Sequence, residues 1–448
     1  MNIDDAPDFL YAPTVIGSYH EIGARKFDTK IDSYKTIWDI DTLYEKLEDP
    51  NIGPRLKREY KRQIKELEEK LIEQEKPTFA LKLIPLSFNF EEIGPKHTAI
   101  IGSSGNGKSI VAYDLVEEAF YFHHNVIVLD PTGQWTGFVA PCKDRKLTSK
   151  YRMFAMKDEP HGYQVDIFTP NSNVGLELKI NLLAKPNTDD DSELMAETRD
   201  VVQFLKEYCS LSSKEETDVK ETIFNSWKMG KSLDHKSLVD SVKLNETKKG
   251  LQDLIALKIL FDENPNFDID ELSDRSIISL KYLKTPETFN LVSYCILRKI
   301  IEYYDAQPDA TQGRHLDLLL VIEEASRFDN PLVKKMIDRI ARTLRKKGVG
   351  LLIITQRFVD LGNVQTNINT KIYMRTSYQA DLDRASIDLG DMHKLLPSMA
   401  TGSGIFFSPD VGEPKIVKFR PCFHRNTELS DDEIRESKKN NFDPTLFK

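Results

Sequence analysis

A glycine-rich segment at residues 102–109, Gly-Ser-Ser-Gly-Asn-Gly-Lys-Ser, matches the phosphate-binding pattern G-x-x-x-x-G-K-[ST] in full. Its glycines let the backbone curl until N–H groups face phosphate oxygens, and a following helix adds the positive end of its dipole. The Lys108 amine can reach the β- and γ-phosphates, while the Ser109 hydroxyl can ligate Mg²⁺. We therefore predict ATP and Mg²⁺ as ligands. The predicted nucleotide contacts are Gly102, Ser103, Ser104, Gly105, Asn106, Gly107, Lys108, Ser109 and Ile110.

Two adjacent acids, Glu323 and Glu324, follow the apolar run Leu318–Ile322, which is typical of a buried central strand. Ligands of open α/β sheets bind at the carboxyl ends of the strands, so both carboxylates should lie beside the phosphates. Adjacent residues at a strand end point in different directions. We assign Glu323 to Mg²⁺ and Glu324 to orienting or deprotonating the attacking water.

Two further polar residues follow apolar runs that read as strands. The neutral amide of Gln356, after the run 349–354, can hydrogen-bond both the γ-phosphate and the attacking water, and can thereby report whether the phosphate is present. Asp130 follows the run 126–129 and opens the sequence Asp-Pro-Thr-Gly-Gln-Trp. It either lies near the ligand shell of the metal or starts a turn, because Asp, Pro and Gly are turn formers. The residues alone leave both alternatives open.

Strands and helices alternate along most of the chain, which indicates an α/β fold with a mainly parallel sheet covered by helices on both faces. The strands are predicted at 99–101, 126–129, 165–168, 276–280, 316–322, 349–354, 372–374, 405–407 and 416–419, and short strands are possible around 11–19. The helices are predicted at 109–122, 289–304 and 332–347.

The domain organisation follows from changes in composition along the chain. We divide it into an amino-terminal region at 1–80, a first part of the core at 81–189, a helical insertion at 190–270, a second part of the core at 271–424 and a polar tail at 425–448. Within the first region, apolar residues recur every three to four positions over 54–76, on an otherwise charged helix. The helix is either a short coiled coil or, as we favour, a single amphipathic helix packed on its own domain.

Composition excludes several classes of protein. Of 448 residues 40% are apolar and 30% charged, which is ordinary for a globular protein, and no apolar run has the roughly 18 residues of a membrane-spanning helix. The four cysteines are scattered without a CxxC pair, which argues against a disulfide framework and favours a reducing compartment. With no secretory signal visible either, we expect a cytoplasmic protein.

Taken together, these motifs resemble the HerA-like branch of the HerA/FtsK superfamily of ring-forming, DNA-pumping ATPases. The segments that carry the resemblance are 97–109, 130–135 (similar to the D-P-H-G-E-Y-type motif of that branch), 165–183, 318–325, 344–357 and 402–409. The resemblance implies a RecA-like fold, a homohexameric ring with duplex DNA in its pore, and ATP sites between subunits that an arginine of the neighbour completes. Arg345 matches that arginine, with Arg342 and Arg357 as the other candidates.

The chain departs from the family pattern in two places. The acidic strand of the family usually ends in Asp-Glu, whereas here it ends in Glu323-Glu324, whose longer first arm should still reach a metal through water. Archaeal members carry a small β-barrel before the motor, which helps to dock a nuclease. Residues 1–80 contain a long charged helix and show no pattern of a complete barrel, which argues against such a nuclease partnership.

DNA contacts must be focal, because the net charge is −9. One basic run, at 331–347, holds seven Lys and Arg against one Asp, and we favour a role for much of it at the neighbour's ATP site. The other contains Lys143, Arg145 and Lys146, which either track DNA phosphates in the pore or form a solvated face.

The function that these observations favour is an ATP-driven translocase that moves along duplex DNA. The alternative is a nucleotide-switched ring that acts as a scaffold for a partner, which the charged helix and the Glu-for-Asp departure would suit. A small-molecule kinase is disfavoured by the paired acids, by Gln356 and by the lack of an evident acceptor pocket. A nuclease or other effector would be a separate protein, and no membrane association is expected.

Overall fold

A twelve-stranded sheet forms the centre of the protein in the computed structural model, which describes residues 15–21, 39–40, 42–44, 46–47, 52–75, 82–87, 96–151, 159–171, 173–252, 254, 260, 269, 272, 274–309, 316–409 and 412–447. The strands are β1 (Val15–Glu21), β2 (Lys82–Ser87), β3 (His97–Ile101), β4 (Asn125–Asp130), β5 (Asp166–Thr169), β6 (Leu176–Glu177), β7 (Arg275–Ser279), β8 (Leu318–Ile322), β9 (Val349–Thr355), β10 (Ile368–Tyr373), β11 (Ser403–Phe407) and β12 (Lys415–Phe419).

The α-helices longer than one turn in the described residues lie mostly on the two faces of this sheet. They are α1 (Pro54–Glu75), α2 (Lys108–Tyr121), α3 (Asp191–Cys209), α4 (Ser213–Lys228), α5 (His235–Ser241), α6 (Asn245–Gly250), α7 (Pro286–Ala306), α8 (Pro331–Thr343), α9 (Gln379–Leu389) and α10 (Asp431–Lys439). In the described residues, no helix combines the length and the apolar character needed to cross a membrane.

The strand order is β2-β1-β12-β11-β10-β3-β9-β8-β4-β7-β5-β6. All pairs from β10 to β6 are parallel, and the pairs from β2 to β10 are antiparallel. The predicted α/β fold with a mainly parallel sheet is therefore confirmed. Because β9 lies between β3 and β8, the strand that precedes Gln356 stands between the phosphate loop and the two acids.

The central strands are apolar because they are covered on both faces. Every residue of β3, β8 and β9 is buried. One face of the sheet packs on α2 and on the carboxyl-terminal part of the chain, and the other packs on α7, α8 and the helices α3–α6. This sandwich fixes the carboxyl ends of the strands, where the polar residues of the site begin.

Part of the amino-terminal region extends the sheet. Strand β1 pairs with β12 and with β2, so this region adds an edge to the core. Helix α1 packs Ile64 against Ile40 and Leu43 of the same region, and Leu56 on its stripe stays 45% exposed. This packing favours the single amphipathic helix over the coiled coil.

The polar tail is docked on the core. Helix α10 begins with a capping box, in which Ser430 and Glu433 exchange hydrogen bonds. The Tyr282 hydroxyl donates to the Asp431 carboxylate over 2.7 Å, and Lys438 Nζ donates to the Gly175 carbonyl over 2.6 Å. The last helix therefore holds the chain that precedes it in place.

A buried ion cluster joins this carboxyl-terminal part to α2. The Arg420 guanidinium, 3% exposed, donates to Asp114 over 3.3 Å, to Glu117 over 2.7 Å and to Glu118 over 3.1 Å. His424 Nδ1 also donates to Glu117, over 2.7 Å. Three carboxylates thus share one permanent cation, so they cannot all be ionised at low cost.

Burial raises the pKa of Glu118 to about 8 and that of Asp114 well above its ordinary value. Burial alone would also raise the pKa of Glu117, but Arg420 and His424 hold it down to about 2. At neutral pH Glu118 is therefore mostly protonated, beside the Arg420 cation and the Glu117 anion. Burial also lowers the pKa of His424 and keeps it neutral.

Stability should depend on pH through Glu118. Between about pH 4.5 and 8 this carboxyl is ionised in the unfolded chain and protonated in the folded protein. The folded state then binds more protons, so the free energy of unfolding should fall with rising pH, by up to about 1.4 kcal/mol per pH unit from this group. Glu118→Gln should remove that contribution to the slope, which urea unfolding across the window measures.

The control for this prediction is Glu436→Gln, which removes one carboxylate from the exposed part of α10 and causes the same loss of charge in the unfolded chain. An unfolding free energy with the same slope in Glu118→Gln as in the unaltered protein would contradict the protonated state of Glu118.

Candidate nucleotide-binding and hydrolysis site

The phosphate loop has the backbone that its glycines allow. Gly105 and Gly107 have φ of 77° and 92°, in the left-handed region that favours glycine, and α2 begins directly afterwards at Lys108. A Cβ on Gly107 would stand 3.3 Å from the Gly402 nitrogen, which donates to the Asn106 carbonyl over 3.0 Å. The loop before β11 therefore closes on the phosphate loop.

The residues that follow β10 contact the loop from its other side. The Ser103 N–H donates to the Arg375 carbonyl over 2.9 Å, and the Asn106 amide donates to the same carbonyl over 3.0 Å and to the Ser103 carbonyl over 3.1 Å. A Cβ on Gly102 would stand 2.6 Å from the Met374 Cβ, so this position requires glycine. Gly102, Ser103 and Asn106, which were predicted as nucleotide contacts, therefore stabilise the conformation of the loop.

A cavity of about 380 Å³ lies above the loop, where the carboxyl ends of β3, β4, β8 and β9 meet. It brings together most of the residues predicted from the sequence, namely Ser104, Gly105, Gly107, Lys108, Ser109, Ile110, Glu323, Glu324 and Gln356. It is lined as well by residues that the sequence predictions did not assign to the site, namely Tyr113, Thr132, Gln134 and Asn426.

Glu323 is 7% exposed and accepts a hydrogen bond from the indole Nε1 of Trp135 over 2.9 Å. Burial raises its pKa to about 7, with a further increase from Asp130, although Trp135 and Lys108 favour the charged form. A buried carboxylate beside the Ser109 hydroxyl offers the hard oxygen ligands that Mg²⁺ prefers, and a divalent cation would offset the cost of burying its charge. The residues present therefore fit the predicted metal.

Glu324 adopts a left-handed backbone conformation, with φ of 52° and ψ of 62°. This conformation is uncommon for a residue with a side chain, and such strain concentrates at functional sites. The Gln356 amide donates to the Glu324 Oε1 over 3.3 Å. The two residues that we assigned to the attacking water are thus in direct contact.

Lys108 lies between the loop and the acids. Its Nζ donates to the Ser103 carbonyl over 3.0 Å. Burial lowers its pKa, while the charges of Glu323 and Glu324 act in the opposite direction. Lysine at this position can exchange the carbonyl for phosphate oxygens without leaving the cavity.

The Asp130 carboxylate stabilises a turn. Oδ1 accepts from the Thr132 N–H and hydroxyl and from the Gly133 N–H at 2.8 to 2.9 Å, and Oδ2 accepts from the Trp135 N–H over 2.9 Å. Burial raises its pKa despite these four donors. The structure favours the turn-forming alternative, and a direct role for Asp130 as metal ligand finds no support in this geometry.

The three candidate arginines do not lie at the same edge of the sheet. Arg345 lies in the 3-10 segment Leu344–Lys347, just before β9, at the edge opposite the phosphate loop. There its charge contributes, after the larger effect of burial, to lowering the pKa of His97 to about 4. Arg342 pairs with Asp338 over 3.0 Å. Only Arg357 lies at the phosphate edge, stacked 4.0 Å from the ring centre of Tyr378.

The predicted helix 332–347 is wrong in one respect: α8 ends at Thr343, and a 3-10 turn closes at Gly348, whose φ is 87°. Most cations of this basic run are neutralised within the chain. The ion pairs are Lys334 with Asp329, Lys335 with Asp200, Arg339 with Asp305, Arg342 with Asp338, and Lys346 and Lys347 with Asp309. Within the described residues, Arg345 is the one cation of the run that forms no ion pair.

Lys143, Arg145 and Lys146 are exposed around the one-turn helix Arg145–Thr148, which Asp144 caps. None of the three pairs with an acid in the described part of the chain, so this surface keeps its positive charge. It is therefore the better of the two basic runs for contact with a polyanion.

The unpredicted residues of the cavity differ in how they could have been found. Thr132 and Gln134 belong to the Asp-Pro-Thr-Gly-Gln-Trp motif, in which the sequence predictions consider only Asp130 as a site residue. Trp135, which donates to Glu323, ends the same motif. Asn426 carries no signal in the sequence. It reaches the cavity because Arg425 donates its N–H to the Ala140 carbonyl over 2.7 Å, beside the bridge between Pro141 and His424.

A phosphate loop, two acids on the second strand beyond it and an amide on the strand between them define a P-loop ATPase with a RecA-like fold. The family model described as the central domain of the helicase HerA matches residues 70–300, more than half of the chain. The protein therefore belongs to the HerA helicase family, and the resemblance drawn from its motifs is confirmed.

Two relatives illustrate the extent of the similarity. A probable helicase of Methanocaldococcus jannaschii is 24% identical over 358 residues, which cover 75% of this chain and 68% of that protein. The DNA double-strand break repair helicase HerA of Sulfolobus acidocaldarius is 25% identical over 371 residues, which cover 75% of this chain and 66% of that protein. The chain thus spans about two thirds of the length of these relatives.

Solved structures share the fold. VirB4 of Thermoanaerobacter pseudethanolicus superposes with a TM-score of 0.51 at 17% identity, over 72% of this chain and 89% of that chain. The plasmid coupling protein TrwB in complex with ADP and Mg²⁺ superposes with a TM-score of 0.51 at 12% identity, over 79% of this chain and 90% of that chain.

Proposed function

We propose that the protein is an ATP-driven motor that moves along duplex DNA as a ring, with ATP hydrolysed between subunits. The observation that carries this proposal is the meeting of Lys108, Glu323, Glu324 and Gln356 in one cavity above the phosphate loop. Membership of the HerA helicase family supports the choice of DNA as the substrate.

In this proposal the residues of the cavity have different roles in binding and hydrolysing ATP. Backbone N–H groups of the loop and Lys108 bind the phosphates, and Ser109 and Glu323 hold Mg²⁺, which supplies positive charge to the phosphate oxygens. Glu324 orients the attacking water and accepts its proton. Gln356, which contacts Glu324, links the position of that carboxylate to the presence of the γ-phosphate.

A ring is proposed because no arginine of the described residues lines the cavity of its own chain, whereas Arg345 lies elsewhere. Arg345 lies at the opposite edge of the sheet from the phosphate loop, so it cannot reach the nucleotide of its own chain. Its lack of an ion pair with the described residues leaves it available for the site of a neighbour. Six subunits are the number that the family resemblance implies.

The proposal is tested by ATP hydrolysis with purified protein, with and without linear duplex DNA, and with single-stranded DNA for comparison. A motor on duplex DNA should hydrolyse ATP faster when duplex is present, and the single strand should stimulate less. Turnover that is indifferent to DNA would contradict the proposal and favour the nucleotide-switched scaffold.

The proposed DNA contact has its own test. Replacing Lys143, Arg145 and Lys146 together with alanine should weaken duplex binding and lower the slope of log affinity against log salt by about 2 to 3, since each lost phosphate contact removes about 0.9. Fluorescence anisotropy of labelled duplex over a range of salt measures the slope.

The matched control replaces three cations that already have partners in the helical segment. Lys206 pairs with Glu216, Lys228 with Asp191 and Lys243 with Glu221. The triple alanine variant changes the net charge equally and should leave the slope unaltered. Equal slopes for both triple variants would remove the segment around Arg145 from the DNA path.

A further inference from the structure

We propose that Trp135 is a positioning residue, which fixes the carboxylate of Glu323 in one orientation by donating its indole N–H to one of the two oxygens. The inference rests on the proposed function, in which Glu323 holds Mg²⁺. It adds a residue that acts on the metal through Glu323 without touching metal or nucleotide.

The hydrogen bond itself is short and buried. Trp135 Nε1 lies 2.9 Å from Glu323 Oε2, and the two residues are 0% and 7% exposed. Hydrogen bonds to a charged acceptor in such surroundings are strong and directional. Oε1, the other oxygen, accepts no hydrogen bond from the described residues, so it remains for the cation or for a water bound to it.

Trp135 is itself immobilised, which a positioning residue requires. Its backbone N–H donates to Asp130, and its ring stacks on Phe138 with centroids 5.3 Å apart and planes 5° apart. The ring of Tyr113 packs edge-on against the Trp135 ring, with centroids 4.7 Å apart and planes 89° apart. Packing on two sides and a fixed backbone leave the indole N–H a single direction.

The length of the glutamate explains why such a restraint is useful. Glutamate has one more rotatable bond than aspartate, so an unrestrained Glu323 would sample more positions and lose more side-chain entropy on binding a metal. The indole hydrogen bond removes this freedom before the metal arrives. The turn around Asp130, which supports Trp135, thereby acquires a role at the site without ligating the metal.

The test uses Trp135→Phe, which removes the N–H donor and keeps an aromatic ring between Tyr113 and Phe138. The probe is fluorescent methylanthraniloyl-ADP, whose dissociation constant is measured in EDTA and in Mg²⁺. Partners of metal ligands change metal affinity by about 10- to 100-fold. We expect the gain in affinity given by Mg²⁺ to fall at least about tenfold in the variant, with the EDTA value unchanged.

Trp227→Phe is the matched control. Trp227 is also 0% exposed, and its Nε1 donates to the Leu183 carbonyl over 2.9 Å, in the helical segment away from the cavity. The control loses an equivalent buried hydrogen bond and should keep the full gain from Mg²⁺. An equal loss in both variants would assign the effect of Trp135→Phe to general destabilisation and overturn the proposal.

Glu323→Gln distinguishes the proposed role of Glu323 in binding Mg²⁺ from the positioning role of Trp135. If it leaves the gain from Mg²⁺ intact, the proposed role of Glu323 fails. If it abolishes the gain while Trp135→Phe keeps it, only the positioning role fails. In the double variant, Trp135→Phe should cause no further change, because its effect passes through Glu323. A change of the same size in both backgrounds would overturn the proposal.

A measurement on the unaltered chain covers the case in which Trp135→Phe does not fold. The protein has three tryptophans, so fluorotryptophan labelling gives three fluorine NMR signals, and Trp38→Phe and Trp227→Phe identify the third as Trp135. Adding Mg²⁺ to the ADP complex should shift this signal, and Glu323→Gln should abolish the shift. An unmoved signal would contradict the proposal.

Discussion

Glu324→Gln should lower the rate of ATP hydrolysis by about 10²- to 10⁴-fold and leave ATP binding nearly unchanged. Glutamine has the size of glutamate, and its oxygen can still accept the hydrogen bond that Gln356 donates over 3.3 Å. What it loses is the ability to take a proton from water. Turnover at saturating ATP, together with the dissociation constant of a fluorescent ATP analogue, measures both effects.

The left-handed backbone of Glu324 sharpens this prediction. A residue with a side chain is held in that conformation only where the surrounding structure requires it, here between the buried β8 and the 3-10 turn Ala325–Arg327. The carboxylate is therefore directed by the backbone as well as by Gln356. Turnover within threefold of the unaltered protein would contradict its assignment as the base.

Arg345→Ala should lower turnover by about 10³- to 10⁵-fold, the range known for arginines that stabilise the transition state of phosphoryl transfer. The loss should arise at the neighbour's site, since Arg345 lies at the edge of the sheet opposite its own phosphate loop. Arg342→Ala is the matched control. Arg342 belongs to the same basic run but pairs with Asp338 over 3.0 Å, so its removal should cost much less.

Mixing two inactive variants distinguishes action on a neighbour from action within one chain. When Glu324→Gln and Arg345→Ala chains are co-expressed, some interfaces combine an intact Glu324 from one chain with an intact Arg345 from the next. Such assemblies should regain part of the turnover. If Arg345 served its own chain, every site would remain defective, and the absence of any recovery would contradict the proposed shared site.

The phosphate loop and the two acids could be predicted because each is a local pattern. Residues 102–109 carry their own turn chemistry, and an apolar run that ends in Glu323 and Glu324 reads as a central strand ending in acids. The strand order in turn explains why Gln356 meets Glu324, since β9 pairs with both β3 and β8. The α/β fold could be predicted as well, because the patterns that indicate strands and helices are also local in the sequence.

The remaining parts of the site depend on tertiary structure. Asn426 reaches the cavity through an antiparallel bridge between chain segments nearly 300 residues apart. The bond from Trp135 to Glu323 spans 188 residues and has no local pattern. That Arg345 has no ion pair can be seen only when the acids that pair with the other cations of the run are known. Those acids come from α3, α7 and α8, from the segment after α7 and from the segment before α8.

The strand order also constrains when the protein can fold during its synthesis. Gly17 of β1 pairs with Phe419 of β12, and Thr98 of β3 pairs with Leu352 of β9. A ribosome adds about 5 to 20 residues per second, so roughly 20 to 80 seconds separate the appearance of β1 from that of β12. The central strand β3 emerges long before either of its neighbours. The nascent chain therefore exposes apolar strands without their partners while the residues between β1 and β12 are made, and the sheet can be completed only after β12 has emerged.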